Sequence, residues 1–247
     1  MKRILGQSLS LVALVAVGSL LTPACADDDG SIFIHSALAP PTSRTGNSCT
    51  YTADPTQPAL AQGLLDVGAR DTYLVQLLVG NQMIQRGDPT APRAESNRVH
   101  LDGAVVRVTD EKGADLSSFT SVASGFVDVS SGNQPSYGFA GLTALDANAT
   151  KNLNVATGGI KLVIANMKVF GKTLGGVDVE SAEWAFPIRV CNGCLIDFTA
   201  GTDPAISAQN CKNKSSTTTS TDTQPCVAGQ DEITPCRFCL DHAACNP

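Results

Sequence analysis

The chain has 247 residues, of which 43% are hydrophobic and 16% charged, so it can bury one or two cores and is not disordered throughout. Its formal net charge of −6 argues against nucleic acid as a partner, because an acidic surface does not attract phosphate backbones. The chain has nine cysteines and only three histidines, and the compartment of the protein decides between disulfide bonds and metal binding.

The N-terminus is predicted to be a secretory signal peptide over residues 1–24. Lys2 and Arg3 form a short positive region. Residues 9–21 are uncharged and mostly apolar, and this run is too short for a comfortable membrane span. The alternative is a retained N-terminal anchor helix.

The signal segment ends in Leu21-Thr22-Pro23-Ala24-Cys25. This stretch resembles the lipobox of bacterial lipoproteins, in which a small residue precedes a cysteine that receives diacylglycerol. The resemblance implies a membrane anchor on Cys25, and Ala26 directly after it favours the outer membrane. Thr22 departs from the family, which usually has a bulky aliphatic residue there. The A-x-A pattern that ends at Ala26 also fits ordinary signal-peptidase cleavage, which gives free secretion or a periplasmic protein.

The mature chain begins with a predicted linker and continues with a predicted β domain. Residues 25–48 contain paired prolines and many hydroxyl side chains with little periodicity, which indicates a lipid-anchored linker. Residues 49–190 contain short alternating runs bounded by turn residues. They predict a mainly β fold, an antiparallel two-sheet sandwich of the immunoglobulin or fibronectin type III kind.

The elements of the β domain are predicted in chain order from the spacing of apolar residues. Residues 58–65 fit one or two turns of helix. Residues 73–79 are apolar on both faces and are predicted as a central strand. Gly103 interrupts a strand that begins at residue 99 and permits a bulge. Residues 161–170 form the longest run, and residues 184–190 alternate strictly, with a proline that argues for an edge strand or a bulge.

Several short motifs lie in the first part of this domain. They are Gln62 to Val67, Tyr73, Leu77 to Met83, Asn97 and Val99 to Ala104. Together they resemble uncharacterised secreted lipoproteins that are abundant in myxobacteria and that pair a lipobox with a β domain and often a cysteine-bearing tail. The similarity in layout covers roughly residues 20–195. It implies a location and a fold, and it carries over no functional residue.

Residues 191–247 are predicted to be a cysteine-rich tail, poor in aliphatic residues and stapled by disulfides. Two C-x-x-C pairs, at Cys191 and Cys236, have spacing compatible with zinc or with thioredoxin-like redox chemistry. An oxidising compartment favours disulfides instead, so no metal or cofactor is predicted. The predicted disulfide cysteines are Cys49, Cys191, Cys194, Cys211, Cys226, Cys236, Cys239 and Cys245.

The cysteine count makes a sharper prediction about Cys49. If Cys25 is lipidated or removed, eight cysteines remain, of which an odd seven lie in the tail. Full oxidation within one chain therefore requires Cys49 to bond to a tail cysteine. Cys191 is the favoured partner and Cys194 the next, because the two ends of a sandwich often lie close together.

No catalytic constellation is recognised, so the protein is predicted not to be an enzyme. The chain has no G-x-S-x-G motif. His35, His100 and His242 are interpreted as surface or structural residues, as are the acidic pairs 102/110 and 180/183. Trp184 is interpreted as a core residue rather than a sugar platform.

The predicted function is a binding or structural interaction module, lipid-anchored in the envelope, that contacts a protein or a surface polymer. The alternative is an extracytoplasmic small-ligand or glycan binder, and a hydrolase is the third hypothesis. A flat exposed apolar patch would favour the first, a concave aromatic-lined pocket the second, and perturbed acids or histidines converging in a cleft the third.

Overall fold

A computed structural model describes residues 30–42, 44, 48–85, 96–197 and 224–238. Within these residues the fold is mainly β, with one short helix, α1 (Ala147–Leu153). A 3-10 turn, Cys236–Phe238, follows the last strand. The strands are β1 (Ile32–Leu38), β2 (Ala59–Leu60), β3 (Gly63–Asp66), β4 (Tyr73–Asn81), β5 (Val99–Asp110), β6 (Asp115–Val127), β7 (Ser136–Leu145), β8 (Ile160–Thr173), β9 (Asp178–Glu180), β10 (Trp184–Cys191), β11 (Ile196–Asp197) and β12 (Thr234–Pro235).

The strands form a small sheet and a large sheet, as the predicted sandwich requires. The small sheet has the order β2-β1-β4-β7, and the large sheet has the order β3-β10-β8-β5-β6. β9 pairs with β8 beyond the end of β10. All pairs within the two sheets are antiparallel except β3 with β10. A separate short parallel pair joins β11 and β12 in the tail.

The core lies between the two sheets because every second residue of the central strands points inward. In β8 these residues include Val163, Met167 and Val169, all fully buried. Phe186 of β10 stacks on Trp184 with ring centroids 5.5 Å apart, and Trp184 packs against the core as predicted. Burial of each large side chain contributes about 1.5–3 kcal/mol, so this layer holds the sheets together.

The sheets also meet at one corner, where β6 and β7 run side by side. The hydroxyl of Ser121 accepts a hydrogen bond of 2.8 Å from the amide of Thr143. Gly125 makes the close approach possible, since a Cβ there would lie 2.6 Å from the carbonyl oxygen of Phe139. The corner therefore depends on a residue without a side chain.

The predicted linker, residues 25–48, is wrong over the segment that forms β1. Ile32 and Ile34 point into the core, and the strand pairs with β4. A register irregularity between Ile34 and Ser36 shifts the alternation by one residue, so the sequence shows little regular periodicity. The sandwich accordingly begins at Ile32 and not at residue 49.

Other predicted elements are partly right. The bulge at Gly103 is confirmed by a register shift between Leu101 and Gly103. Residues 73–79 lie in β4, a central strand of the small sheet. Pro187 lies just before the four residues of β10 that pair with β3. At Pro187 itself, β10 therefore pairs with β8 alone. The helix predicted over residues 58–65 is wrong, because that segment forms β2 and β3.

Candidate functional site

The described cysteines are joined in disulfide bonds. Cys49 bonds to a tail cysteine, as the cysteine count predicts, but the partner is Cys226, with Cα atoms 5.7 Å apart. The favoured bridge to Cys191 is wrong, because Cys191 bonds to its near neighbour Cys194. Cys236 is also disulfide-bonded. Cys25, Cys211, Cys239, Cys245 and His242 lie outside the described residues.

Asp66, at the end of β3, holds the loop that contains Cys194. The carboxylate is fully buried and lies within 4.8 Å of the sulfur atoms of Cys191 and Cys194. Its Oδ1 accepts from the amides of Gly68 at 2.9 Å and Gly193 at 2.7 Å, and its Oδ2 accepts from the amide of Leu195 at 2.7 Å. Because both sulfurs are in the disulfide bond and the carboxylate has three N–H donors, this group is built as a structural anchor rather than a metal site.

Asp231, a half-buried residue of the tail, makes a second polar centre against the sandwich. Its Oδ1 accepts from the amide of Leu64 at 2.8 Å, and its Oδ2 accepts from the hydroxyl of Tyr73 at 2.7 Å. Tyr73 is fully buried, and its ring lies over Gly63, where a Cβ would come within 2.5 Å of its Cζ atom. Gln230 donates a further hydrogen bond from its Nε2 to Oδ2 of Asp231 at 3.1 Å. Burial raises the pKa of Asp231, and burial beside that carboxylate raises the pKa of Tyr73.

Residues around Asp231 extend this contact toward Cys49. Gln230 holds both backbone groups of Leu74 on β4, since its Oε1 accepts from the amide at 2.8 Å and its Nε2 donates to the carbonyl at 2.5 Å. Glu232 forms an ion pair with Arg44 and accepts from the amide of Cys226 at 2.8 Å. The tail segment 224–235 is therefore docked on the sandwich by side chains whose polar groups are already paired.

A different arrangement lies on the solvent-facing side of the large sheet. The ring of Phe126 is half-exposed, with the guanidinium of Arg98 4.7 Å from its centroid and the ring of His100 4.8 Å away. Arg98 Nε lies 2.8 Å from Oδ1 of Asp128, and His100 Nδ1 lies 2.8 Å from Oδ1 of Asp102. The aromatic ring is thus flanked by a guanidinium and an imidazole, and each of these has a carboxylate beside it.

Apolar side chains continue this surface along β5, β6 and β8. Val122 is 81% exposed, Phe126 is 49% exposed and Val105 is 48% exposed, which is unusual for residues of this size. Val122 and Phe170 pair with the same β5 residue from opposite sides. The β5–β6 surface, as we call it, consists of Arg98, His100, Val105, Val122, Phe126 and Phe170.

The histidines and acids considered from the sequence do not form a catalytic group among the described residues. His35 lies on the small sheet with its ring centroid 5.3 Å from that of Tyr137. Glu180 pairs with Lys168 at 2.6 Å. The acid whose pKa is raised is Asp231, and its oxygens are occupied by the contacts that dock the tail. The perturbed group therefore has a structural explanation.

Sequence reasoning missed Asp66, Asp231 and the aromatic ring at position 126 as members of sites. Asp231 meets residues 158 and 167 positions away, and no local pattern reports such contacts. The alternation of β6 did carry one signal, because Val122 and Phe126 fall on the parity opposite to that of the buried Ala123 and Val127.

Within the described ranges, the chain contains no helix with the length and apolarity needed to cross a membrane. Comparisons of the sequence with protein-family models and with curated proteins, and of the fold with solved structures, find no match.

Proposed function

We propose that this protein is an extracytoplasmic interaction module, anchored in a bacterial envelope by a lipid on Cys25, that binds a partner protein through the β5–β6 surface. The signal segment supports the extracytoplasmic location, and the lipobox-like sequence supports the lipid anchor on Cys25. The disulfides Cys49–Cys226, between residues 177 positions apart, and Cys191–Cys194, together with the bonded Cys236, support an oxidising compartment.

The single observation that carries the binding role is the half-exposed ring of Phe126 between Arg98 and His100. Aromatic and arginine side chains dominate the energetics of protein interfaces, and a ring that is already positioned loses little conformational freedom on binding. Val105 and Val122 enlarge the apolar area beside it. The paired carboxylates at the rim favour a partner that presents an apolar side chain surrounded by both signs of charge.

Photocrosslinking in intact cells tests this surface. A photoreactive residue is placed at Val122 and, as a control, at Ile233, which is 67% exposed in the tail beside β3, at the opposite edge of the large sheet from β6. We expect a defined crosslinked species from position 122 that is absent from position 233 and is lost when Phe126→Ala is added. Equal crosslinking from both positions, or a species that persists in the Phe126→Ala background, would contradict the proposal.

The anchor has its own test. Cys25→Ala is expected either to release the protein from the detergent phase or to leave the precursor uncleaved, because the acceptor of the lipid is gone. Phase partitioning and the mass of the mature N-terminus measure this. Unchanged partitioning, with cleavage after Ala26, would exclude the lipoprotein assignment. The binding surface would still be decided by the crosslinking experiment.

A second candidate function, glycan or small-ligand binding, is supported by a groove of about 260 Å³ beside β1. Tyr51 and Pro40 supply flat apolar faces there, and Thr50 and Gln57 supply hydrogen-bonding groups. Screening of the purified protein on an array of envelope glycans tests this role. Binding that is lost in Tyr51→Ala and kept in Phe126→Ala would favour the groove over the β5–β6 surface.

A further inference from the structure

A separate cleft of about 610 Å³ lies at the opposite end of β5 from the Phe126 ring. One wall is the turn between β5 and β6, with Lys112 at its tip. The other walls are the end of α1, the start of β8 and the β10 residue Arg189. The cleft shares no residue with the β5–β6 surface, so it is independent of the function proposed above.

Cations without acidic partners gather at this cleft. Within the described part of the chain, five cations have a carboxylate within 4.0 Å, namely Arg44, Arg98, Arg107, Lys168 and Lys172. Lys112, Lys161 and Arg189 have none, and all three line the cleft. Arg70 and Lys151 also have none but do not line the cleft, and the side chain of Arg237 is not among those described. Among the cations whose side chains the structure describes, three of the five that lack a carboxylate within 4.0 Å therefore line one concave place.

The local structure holds two of these cations in place. Asp110 Oδ1 accepts from the amides of Lys112 and Ala114, both at 2.8 Å, so the turn that carries the Lys112 side chain is fixed. Lys161 donates from Nζ to the carbonyl of Leu153 at 2.5 Å. An ammonium group has three donors, so two of them stay available to a ligand.

The acidic groups in the cleft do not cancel this charge. Asp110 has one carboxylate oxygen occupied by the amides of its own turn, which are themselves partly positive. Glu111 is exposed at the tip of the turn, where water weakens its repulsion of an anion without removing it. Two acidic residues therefore face three cationic ones.

The cleft also has an apolar floor. Ile160 is 64% exposed, and Leu162 lies two residues further along β8 on the same face and pairs with Arg189 of β10. Leu116 and Leu153 line the other side. An exposed isoleucine next to unpaired cations is suited to a ligand that carries both an anionic head and an apolar chain.

We propose that this cleft binds an amphiphilic anion. A phosphate or carboxylate head is held by Lys112, Lys161 and Arg189, with the guanidinium of Arg189 able to bind two of its oxygens at once. The apolar part of the ligand lies on Ile160 and Leu162. The binding is reversible, and no covalent step is involved.

Calorimetry with four small probes and the purified full mature chain, in non-ionic detergent if it carries its lipid, tests the proposal. Hexyl phosphate and hexanoate share the apolar chain and differ in the anionic head. Inorganic phosphate has no chain, and hexylammonium has the opposite charge. We expect hexyl phosphate or hexanoate to bind at least about tenfold more tightly than inorganic phosphate and hexylammonium, because only they engage both halves of the cleft.

Variants assign the binding to these residues. Lys112→Ala and Arg189→Ala are each expected to weaken binding about tenfold, and Glu111→Gln is expected to strengthen it a few-fold because a repulsive charge is removed. Arg107→Ala, which removes an ion-paired cation from the sheet face, serves as the control and should change nothing. All four side chains are exposed, and thermal unfolding checks that each variant folds.

The outcomes separate clearly. Preference for hexyl phosphate identifies a phosphate head and preference for hexanoate a carboxylate head, and both support the proposal. Equal binding of hexylammonium, or equal losses in Arg189→Ala and Arg107→Ala, would overturn it. Absence of binding for both amphiphilic anions would overturn it as well.

Discussion

In the part of the tail that the structure describes, residues 191–197 and 224–238, two places are attached to the sandwich, and the two attachments are built in opposite ways. At the first, the loop after β10 is held by Asp66, a residue of the sandwich whose carboxylate receives two amides of the loop. At the second, segment 224–235 is held by Asp231, a residue of the tail whose carboxylate receives groups of the sandwich. The Cys191–Cys194 disulfide closes the first loop between near neighbours in the chain. The Cys49–Cys226 disulfide instead joins the second segment to a distant part of the chain.

This difference shows what each attachment has to overcome. The loop of Cys194 directly continues β10, so little chain entropy opposes its docking. Segment 224–235 follows a long stretch of chain and must be brought back to β3 and β4, which costs loop-closure entropy. The Cys49–Cys226 bridge offsets that cost by restricting the unfolded chain. We expect the second attachment to depend on its bridge far more than the first.

Removal of the long-range bridge gives the largest expected effect. In the chain-entropy model, Cys49→Ser with Cys226→Ser lowers the free energy of unfolding by about 5 kcal/mol, because the bridge closes a loop of 177 residues. The matched control, Cys191→Ser with Cys194→Ser, closes a much shorter loop and is expected to cost about 2 kcal/mol. Urea unfolding measures both, and equal losses would contradict the comparison.

Removal of the Asp66 carboxylate tests the first attachment. Asp66→Ala leaves the amides of Gly68, Gly193 and Leu195 without their acceptor in a buried place, so we expect a loss of about 3–4 kcal/mol. Asp115→Ala, an exposed acid on the sheet face, should change stability by about 0.5 kcal/mol or less. A loss in Asp66→Ala as small as in this control would show that the loop is held by something else.

A single hydroxyl tests the second attachment. Tyr73→Phe removes the 2.7 Å hydrogen bond to Asp231 while the ring keeps its packing, so we expect a loss of about 1.5 kcal/mol. Tyr137→Phe is the control, because the Tyr137 hydroxyl makes no hydrogen bond within the described residues, and it should be near neutral. Cleavage by a protease in segment 224–235 should also be faster in Tyr73→Phe and unchanged in Tyr137→Phe.

The smallest expected effect is a pH dependence of the second attachment. Burial raises the pKa of Asp231 above its ordinary value of 3.8, so the docked state binds the proton more tightly than the unfolded chain does. The contribution is fully present below the ordinary value and is lost as the pH rises through the raised one. Asp231→Asn should remove this slope from the pH profile of unfolding, and a slope that survives the substitution would assign it to another group.

The sequence predicts those parts of the fold whose cause is local. β4, β8 and β10 were predicted because their inward residues recur at every second position over a long run. β1 was missed because a bulge near His35 breaks the alternation within seven residues. The helix α1 was missed as well, although Asp146 caps it by accepting from the amide of Ala149.

The candidate sites were less predictable than the fold. The need for a bond from Cys49 to the tail follows from parity, which requires no geometry. Its partner does not, because Cys191 and Cys226 are equivalent in any count, and only the folded path of the chain brings Cys226 within reach. The cleft of Lys112, Lys161 and Arg189 gathers residues from three separate strands and turns, and no spacing in the sequence reports that meeting.

The early start of β1 shortens the chain between the proposed lipid anchor and the folded domain. With the lipid on Cys25, as proposed, only residues 26–31 separate the bilayer surface from the first strand of a folded domain. A fully extended chain of that length spans about 20 Å, whereas the linker predicted over residues 25–48 would have spanned about 80 Å. The start of β1 would therefore lie within about 20 Å of the lipid headgroups. A partner would have to come to the membrane, or reside in it, to meet the β5–β6 surface.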